Sequence, residues 1–246
     1  MKTNRMYDEF AYLWPLISAP KDYEREASFW LNILREKLGA GRKSLLELGV
    51  GGGNNLSHLT GDYKATAVDI SPGMLKNSTR LNPGVEHIVG DMRTIRVGRM
   101  FDAVIVHDAV SYMLNEQDLS QTFQTAREHL QIGGIFVTAP DWLIENFPGI
   151  YTSSSTRSDG DTELTYFEYS HDPDIFDTTM ETYFTYFIKE GSRFRVEQDR
   201  HVTGLFPMKT WTSLMEKTGF EVETRDYPVH DDLRQSSLFV GTYLGR

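Results

Sequence analysis

Cysteine is absent from the 246 residues, which excludes disulfides, thiolate metal sites and a cysteine nucleophile. No apolar run approaches the roughly 20 residues needed to cross a bilayer. The opening residues, Met1 to Asp8, lack the apolar core of a secretory signal. Surplus positive charge is missing as well. The formal charge is −10, which argues against a duplex-wide nucleic-acid footprint, since that needs a surface of lysine and arginine. The nearest basic cluster, Arg193, Arg195 and Arg200, is interleaved with Glu197 and Asp199 and reads as a solvated strand face. No group of histidines and carboxylates has metal-ligand spacing. Asp172-Pro173-Asp174 reads as a turn, because the remaining ligands of a calcium loop are missing. A cytoplasmic protein with a small-molecule partner is expected, without metal, membrane or nucleic acid.

What is present is the composition of a globular chain, 39% hydrophobic and 24% charged, with enough residues for one large domain carrying an insertion. An aromatic arm (Tyr7, Phe10, Tyr12, Trp14) is broken by Pro15 and Pro20. Lys21 to Leu38 has the spacing of an amphipathic helix. A regular rhythm follows: strands at Ser44–Leu48, Lys64–Asp69, Val85–Val89, Phe101–Val106 and Gly134–Ala139, with helices opening at Gly53, at Ser71-Pro72 and at Glu116. The fold class expected is α/β, a doubly wound, mainly parallel seven-stranded sheet with helices on both faces. After Asp141 the rhythm stops. Thr152–Asp161 is polar and reads as a mobile loop. Glu163–Tyr169, Met180–Lys189 and Arg193–Val202 read as a small antiparallel sheet with a hairpin turn at Gly191. The rhythm resumes with a helix at Lys209–Lys217 and strands at Glu221–Tyr227 and Ser237–Tyr243. The expected division is therefore 1–140 with 207–246 as the main domain and 141–206 as an insert for substrate or subunit contacts.

The chemistry centres on Glu47-Leu48-Gly49-Val50-Gly51-Gly52-Gly53-Asn54. A strand ending in a carboxylate, a glycine turn and a helix start form the place where an open α/β sheet binds a nucleotide-like ligand. A dinucleotide fingerprint wants glycine at the position of Asn54, and a pyrophosphate would be repelled by Glu47, so an NAD(P) dehydrogenase fits poorly. Glu47, Asp69 and Asp91 are spaced by 22 residues and fall at the ends of the first three strands, on one edge of the sheet. A ligand with an ammonium group, a ribose diol and an adenine amine needs acceptors so placed. S-adenosylmethionine (SAM) is such a ligand.

With Gly90-Asp91-Met92-Arg93, Phe101-Asp102 and Gly133-Gly134 added to these motifs, the sequence resembles the class I SAM-dependent methyltransferases. The arm with Tyr7-Asp8, Lys21-Asp22-Tyr23, the stretch His201 to Phe206 and Ser237 to Gly241 look like bacterial N-methyltransferases of nucleotide-linked amino sugars. The resemblance implies methyl transfer to nitrogen or oxygen of a small acceptor, with S-adenosylhomocysteine as product. It implies a cofactor site built from Glu47, Gly49, Gly51, Gly53, Asn54, Asp69, Ile70, Asp91, Met92 and His107. Asp69 would take the ribose hydroxyls, Ile70 would cover the adenine, and Asp91 with the Met92 N–H would meet the adenine edge. A methyltransferase of protein or tRNA, and a SAM-binding protein without catalysis, stay open as alternatives. His107, after the fourth strand, has the ordinary pKa of a general base, or else only hydrogen-bonds its surroundings. Tyr7, Tyr12, Trp14 and Tyr112 are candidates for the acceptor side, the arm acting as a lid or as plain core. His171 and His201 read as ordinary strand or surface histidines. The insert aromatics suggest a substrate platform or a homodimer surface.

Overall fold

In the computed structural model, residues 4–228 and 236–245 are described; the remaining residues, including the first three of the arm, lie outside that description. The main sheet contains β1 (Lys43–Leu48), β2 (Tyr63–Asp69), β3 (Glu86–Val89), β4 (Phe101–Val106), β5 (Leu130–Thr138), β10 (Phe220–Asp226) and β11 (Ser237–Tyr243). Its order is β10-β11-β5-β4-β1-β2-β3. All neighbours pair in parallel except β11, which runs antiparallel to both β5 and β10. The central strands are continuous apolar runs because both their faces are covered: Leu45, Leu46, Val104 and Ile105 have no solvent exposure. On one face, Phe123, Phe136, Trp211 and Phe239 form a core beneath α5 (Glu116–Glu128) and α6 (Met208–Lys217). On the other, Trp30, Leu34, Leu59 and Tyr227 pack beneath α2 (Glu24–Leu38). There the buried Trp30 indole N–H donates to the Tyr227 hydroxyl at 2.7 Å.

Local signals set the helix starts. Ser71 Oγ accepts the Met74 N–H at 3.1 Å ahead of α4 (Pro72–Leu81), with proline in the first turn. Asn115 Oδ1 accepts the Asp118 N–H at 2.9 Å ahead of α5. Each such cap contributes about 1 kcal/mol. The glycine loop opens only a single turn, α3 (Asn54–Ser57). The helix expected from Lys21 begins at Glu24, because Pro20–Tyr23 forms a 3-10 turn with Asp22 Oδ2 accepting the Ala19 N–H at 3.0 Å. Among the described residues no helix is long and apolar enough to cross a membrane.

The second sheet is an antiparallel meander of β6 (Ile150–Asp159), β7 (Thr162–His171), β8 (Thr179–Glu190) and β9 (Arg193–Gly204). The expectation of a mobile loop at Thr152–Asp161 is overturned here. That stretch is most of β6, paired residue by residue with β7 from Ile150↔His171 to Asp159↔Thr162. Its serines and threonines are tolerated because β6 is an edge strand, and they bond across it, Ser153 to Glu168 and Thr156 to Thr165, both at 2.8 Å. The inward face of the sheet (Leu164, Tyr186, Ile188) meets Met6, Phe10, Leu13, Leu16 and Ile17 of the N-terminal arm. The arm, a series of 3-10 turns and the one-turn helix α1 (Trp14–Ile17), is thus a shared core between the two sheets. Phe167, Tyr169, Tyr183 and Phe187 point outward and are exposed.

Candidate functional site

The strand order reverses between β1 and β4, and the carboxyl ends of the strands diverge there, as at ligand sites in such sheets. A cavity of about 860 Å³ opens at this point, within the size range of small-molecule sites. Its floor is the glycine loop. Gly49 and Gly51 have φ of +73° and +56°, in the left-handed region that glycine enters without strain. A Cβ on Gly49 would collide with Ala109 and Met92, and one on Gly52 with the Trp14 indole. The chain therefore passes close beneath two other elements, and only glycine leaves the room.

Asp69 latches this loop. Its two oxygens accept the Gly51 N–H at 2.7 Å and the Ser71 N–H at 2.8 Å, while burial raises its pKa above the usual carboxylate value. Glu47 is 1% exposed and its Oε2 has no hydrogen-bond partner. Burial, reinforced by Asp69 and Asp108 against the opposing pull of His107, pushes its pKa up to about 8. Asn55, also buried in the cavity wall, leaves both polar atoms of its amide unpartnered. Asp91 is gripped by Arg93, whose guanidinium reaches Asp118 at 3.1 Å as well; the Arg93 bond holds the Asp91 pKa down. Ile70 is 67% exposed beside Asp69, a loose apolar flap at the cavity edge.

Of the residues predicted from sequence, Glu47, Gly49, Gly51, Asn54, Asp69, Ile70, Asp91, Met92, His107, Tyr7, Trp14 and Tyr112 all line this cavity. Two do not. Gly53 sits behind the loop, where a Cβ would strike Ser78 and Asn82 of the following segment. Tyr12 is 53% exposed; its hydroxyl is engaged by Arg195 and by Glu190 on the second sheet, so it belongs to a surface pairing and not to the acceptor side.

His107 occupies the expected place, and its surroundings disfavour a base role. Its Nε2 lies 3.0 Å from Glu26 Oε2 and 3.3 Å from the Tyr227 hydroxyl, and its Nδ1 lies 3.1 Å from Asp108 Oδ1. Burial disfavours its charge, yet Asp108, Tyr227 and Glu26 prevail and hold the imidazole pKa well above its ordinary value. An imidazolium with both N–H groups engaged has no lone pair to offer a substrate.

Three features were missed in the sequence. Asp141, three residues past the end of β5, lines the cavity and is exposed to solvent there. Desolvation by the surrounding protein and neighbouring Asp108 raise its pKa. Strand-end carboxylates had already located Glu47, Asp69 and Asp91, and the same rule finds Asp141. Tyr23 lines the cavity beside His107, with ring centroids 5.9 Å apart. His201, taken for an ordinary strand histidine, is 2% exposed and bonded to Tyr112 at 2.6 Å and Asp199 at 2.8 Å. Asp199 itself is fully buried, so the mixed-charge run on β9 is not solvated throughout: Arg193 is exposed, and Arg195, Glu197 and Arg200 are half-buried.

A seven-stranded sheet with one antiparallel strand, a glycine loop after the first strand and carboxylates at successive strand ends defines a class I methyltransferase. Comparisons with known proteins agree. Residues 45–134 match the family model described as a methyltransferase domain. The chain is 31% identical over 206 residues to dTDP-3-amino-3,4,6-trideoxy-alpha-D-glucopyranose N,N-dimethyltransferase of Streptomyces venezuelae, covering 82% of this chain and 85% of the relative. It is 30% identical over 161 residues to dTDP-3-amino-3,6-dideoxy-alpha-D-glucopyranose N,N-dimethyltransferase of Streptomyces fradiae, covering 64% and 63%. The crystal structure of DesVI from Streptomyces venezuelae superposes with a TM-score of 0.80 at 25% identity, over 91% of this chain and 92% of that one. The chain belongs to the family of SAM-dependent methyltransferases that includes these amino-sugar enzymes. It is an enzyme, its cofactor is SAM, and its acceptor is a small molecule. The cavity fits that cofactor: a buried carboxylate oxygen and a buried amide lack partners, and the loop beside them admits close approach to backbone.

Proposed function

We propose that the protein N-methylates the amino group of a nucleotide-linked amino sugar. The observation that carries this reading is the 31% identity, over most of both chains, to an enzyme named for such an acceptor. The cavity supports it: past the ends of β4 and β5, Asp108 and Asp141 line it with carboxyl groups that can accept from an amine. SAM supplies an activated methyl group, so that the chain's own residues have chiefly to position, desolvate and handle a proton. On the cofactor side, the Gly49–Gly51 backbone and Glu47 would receive the amino-acid portion. Asp69 would take the ribose hydroxyls with lone pairs not used by Gly51 and Ser71, Ile70 would cover the adenine, and Asp91 with Met92 would hold its edge. On the acceptor side stand Tyr7, Trp14, Tyr112, Asp108 and Asp141.

The reading includes a cytoplasmic location and a homodimer formed through the outward aromatics of the second sheet, which a solution mass of one chain would refute. The acceptor itself is tested by incubating the protein with SAM and dTDP-3-amino-3,6-dideoxyglucose. Mass spectrometry should show addition of one and then two methyl groups. A panel of dTDP-amino sugars left unmethylated would remove the reading.

A further inference from the structure

We propose that Tyr7, Tyr112, His201 and Asp199 form a proton relay that carries a proton from the acceptor nitrogen out of the cavity and into the second sheet. The proposal rests on the reading of the acceptor as an amine. It starts from a continuous line of side chains. Tyr7 and Tyr112 line the cavity, and their hydroxyls lie 3.0 Å apart. Tyr112 Oη is 2.6 Å from His201 Nδ1, and His201 Nε2 is 2.8 Å from Asp199 Oδ2. The same carboxylate oxygen accepts the Met6 N–H at 2.9 Å. His201 is wedged among the rings of Phe184, Tyr7 and Tyr112 at centroid distances of 4.9, 5.4 and 6.0 Å.

The line has a direction. An ionised Asp199 facing Nε2 fixes the tautomer with its proton on that nitrogen, leaving Nδ1 as an acceptor. The Tyr112 hydroxyl donates to Tyr7 in the resting arrangement; the relay needs it to turn its proton to Nδ1, 2.6 Å away, which frees its oxygen to accept from Tyr7. Burial opposes an ionised Asp199, yet its bond to His201 and the Met6 N–H hold its pKa below the usual value. Both tyrosines are pushed up, chiefly by burial, so each passes a proton as a neutral hydroxyl. Other ionisable groups that act on the line are Tyr186 and Asp141, which influence Tyr112, and Tyr23 and Asp108, which influence Tyr7.

A purely structural role explains less. Burying an aspartate and a histidine carries a desolvation cost. Tying the arm to β9 requires only the Asp199 bond to Met6, without an imidazole set between a carboxylate and two hydroxyls that end in the active cavity. His107, the other histidine of the site, is occupied as a cation.

The chemistry balances. The nitrogen lone pair forms the new N–CH3 bond as the bond from that carbon to sulfur breaks, with sulfur keeping the pair. The nitrogen is left positive. Its N–H proton moves to Tyr7 Oη as the Tyr7 proton moves to Tyr112 Oη and the Tyr112 proton to His201 Nδ1. The charge ends on an imidazolium beside Asp199. The acceptor nitrogen regains its lone pair, which a second methyl transfer to the same nitrogen requires. Tyr7 is thus the group that touches the substrate, and Tyr112, His201 and Asp199 act through it.

The experiment compares the whole protein with its Tyr112→Phe and His201→Gln variants. With a dTDP-amino sugar and SAM, kcat is expected to fall by about a hundredfold, the lower end of what general-base catalysis supplies, with SAM affinity and acceptor KM retained. The dimethylated share of product should fall further than total turnover. Unchanged kcat and product ratio in both variants would overturn the relay. A readout independent of turnover is the ¹⁵N spectrum of the histidines. Neutral His201 should show the Nε2–H tautomer, with an Nδ1 signal that moves in Tyr112→Phe. A proton fixed on Nδ1 would overturn the direction of the line. A wild type inactive on every amino sugar refutes the acceptor reading instead, and the tautomer then decides the relay.

Discussion

Glu47 makes SAM binding a proton-linked event. In the free protein its carboxyl has a pKa of about 8, so at pH 7 only about one-tenth of the molecules carry the charge there. If the carboxylate receives the ammonium of SAM, binding has to expel the proton. That costs about 1.4 kcal/mol for each pH unit below the pKa. Affinity for SAM should therefore climb close to tenfold per unit from pH 6 to 7 and flatten near pH 8. Above that it should turn down, because the α-amino group of the ligand itself deprotonates at about 8. Calorimetry at pH 6.5 in two buffers of different ionisation enthalpy measures the effect directly, and close to one proton released per SAM bound is expected. Glu47→Gln should bind more weakly, with no proton released. The sign for stability follows from the same shift. A carboxyl whose folded pKa lies above its unfolded one favours the folded state most at low pH, and that contribution is lost as pH rises from the unfolded value toward 8. Glu47→Gln should thus gain in melting temperature relative to wild type most clearly at alkaline pH. SAM binding at pH 6.5 with no proton release in wild type would refute the reasoning, since Glu47 would then be charged already or would stay neutral beneath the ligand.

Asp69→Ala should weaken SAM binding by about a hundredfold, since it frees two backbone N–H groups whose charge-assisted bonds are worth about 1.5–3 kcal/mol each and removes the ribose acceptor; calorimetry giving wild-type affinity would refute this. Gly52→Ala should displace Trp14 from the loop, because the new Cβ meets the indole, and loss of SAM affinity with a shifted tryptophan emission is the expected signature. His107 should titrate above its ordinary range by NMR, and His107→Gln should lower stability at neutral pH while the difference shrinks as pH rises through the folded pKa. That is the sign expected of a histidine stabilised as a cation.

How far the sequence could be read depended on how local each signal was. The strands β1 to β5 and the helix α4 are encoded by short runs and caps, and Phe101–Val106 and Ser237–Tyr243 fall where the apolar patterns place them. The cavity wall is legible for the same reason, because Glu47, Asp69 and Asp91 mark consecutive strand ends and line it. β6 was hidden because an edge strand of serine and threonine has the composition of a loop, and only its pairing with β7 makes it a strand. Tyr12 was misplaced because a broken arm has no period from which to tell which aromatic turns inward. The His201 environment was unreadable because its partners lie far away in the chain: Tyr112 follows β4, Asp199 is beside it on β9, and Met6 belongs to the arm.

This contrast has a physical basis in the division of the cavity. The residues proposed for the cofactor lie at strand ends and loops of one sheet, each specified by its neighbours in sequence. Those proposed for the acceptor lie where three distant pieces meet: the arm with Tyr7 and Trp14, the segment after β4 with Asp108 and Tyr112, and the second sheet with His201. Met6, Phe10 and Leu13 join those pieces by packing on Leu164, Tyr186 and Ile188. Changing the acceptor would then require no change in the glycine loop or its carboxylates, only new residues on the arm, after β4 and β5, and on β9. His107 stands apart from both, engaged by Glu26 of α2 and by Asp108. In the proposed relay a proton leaving the acceptor therefore passes on the other side, along the tyrosines toward His201.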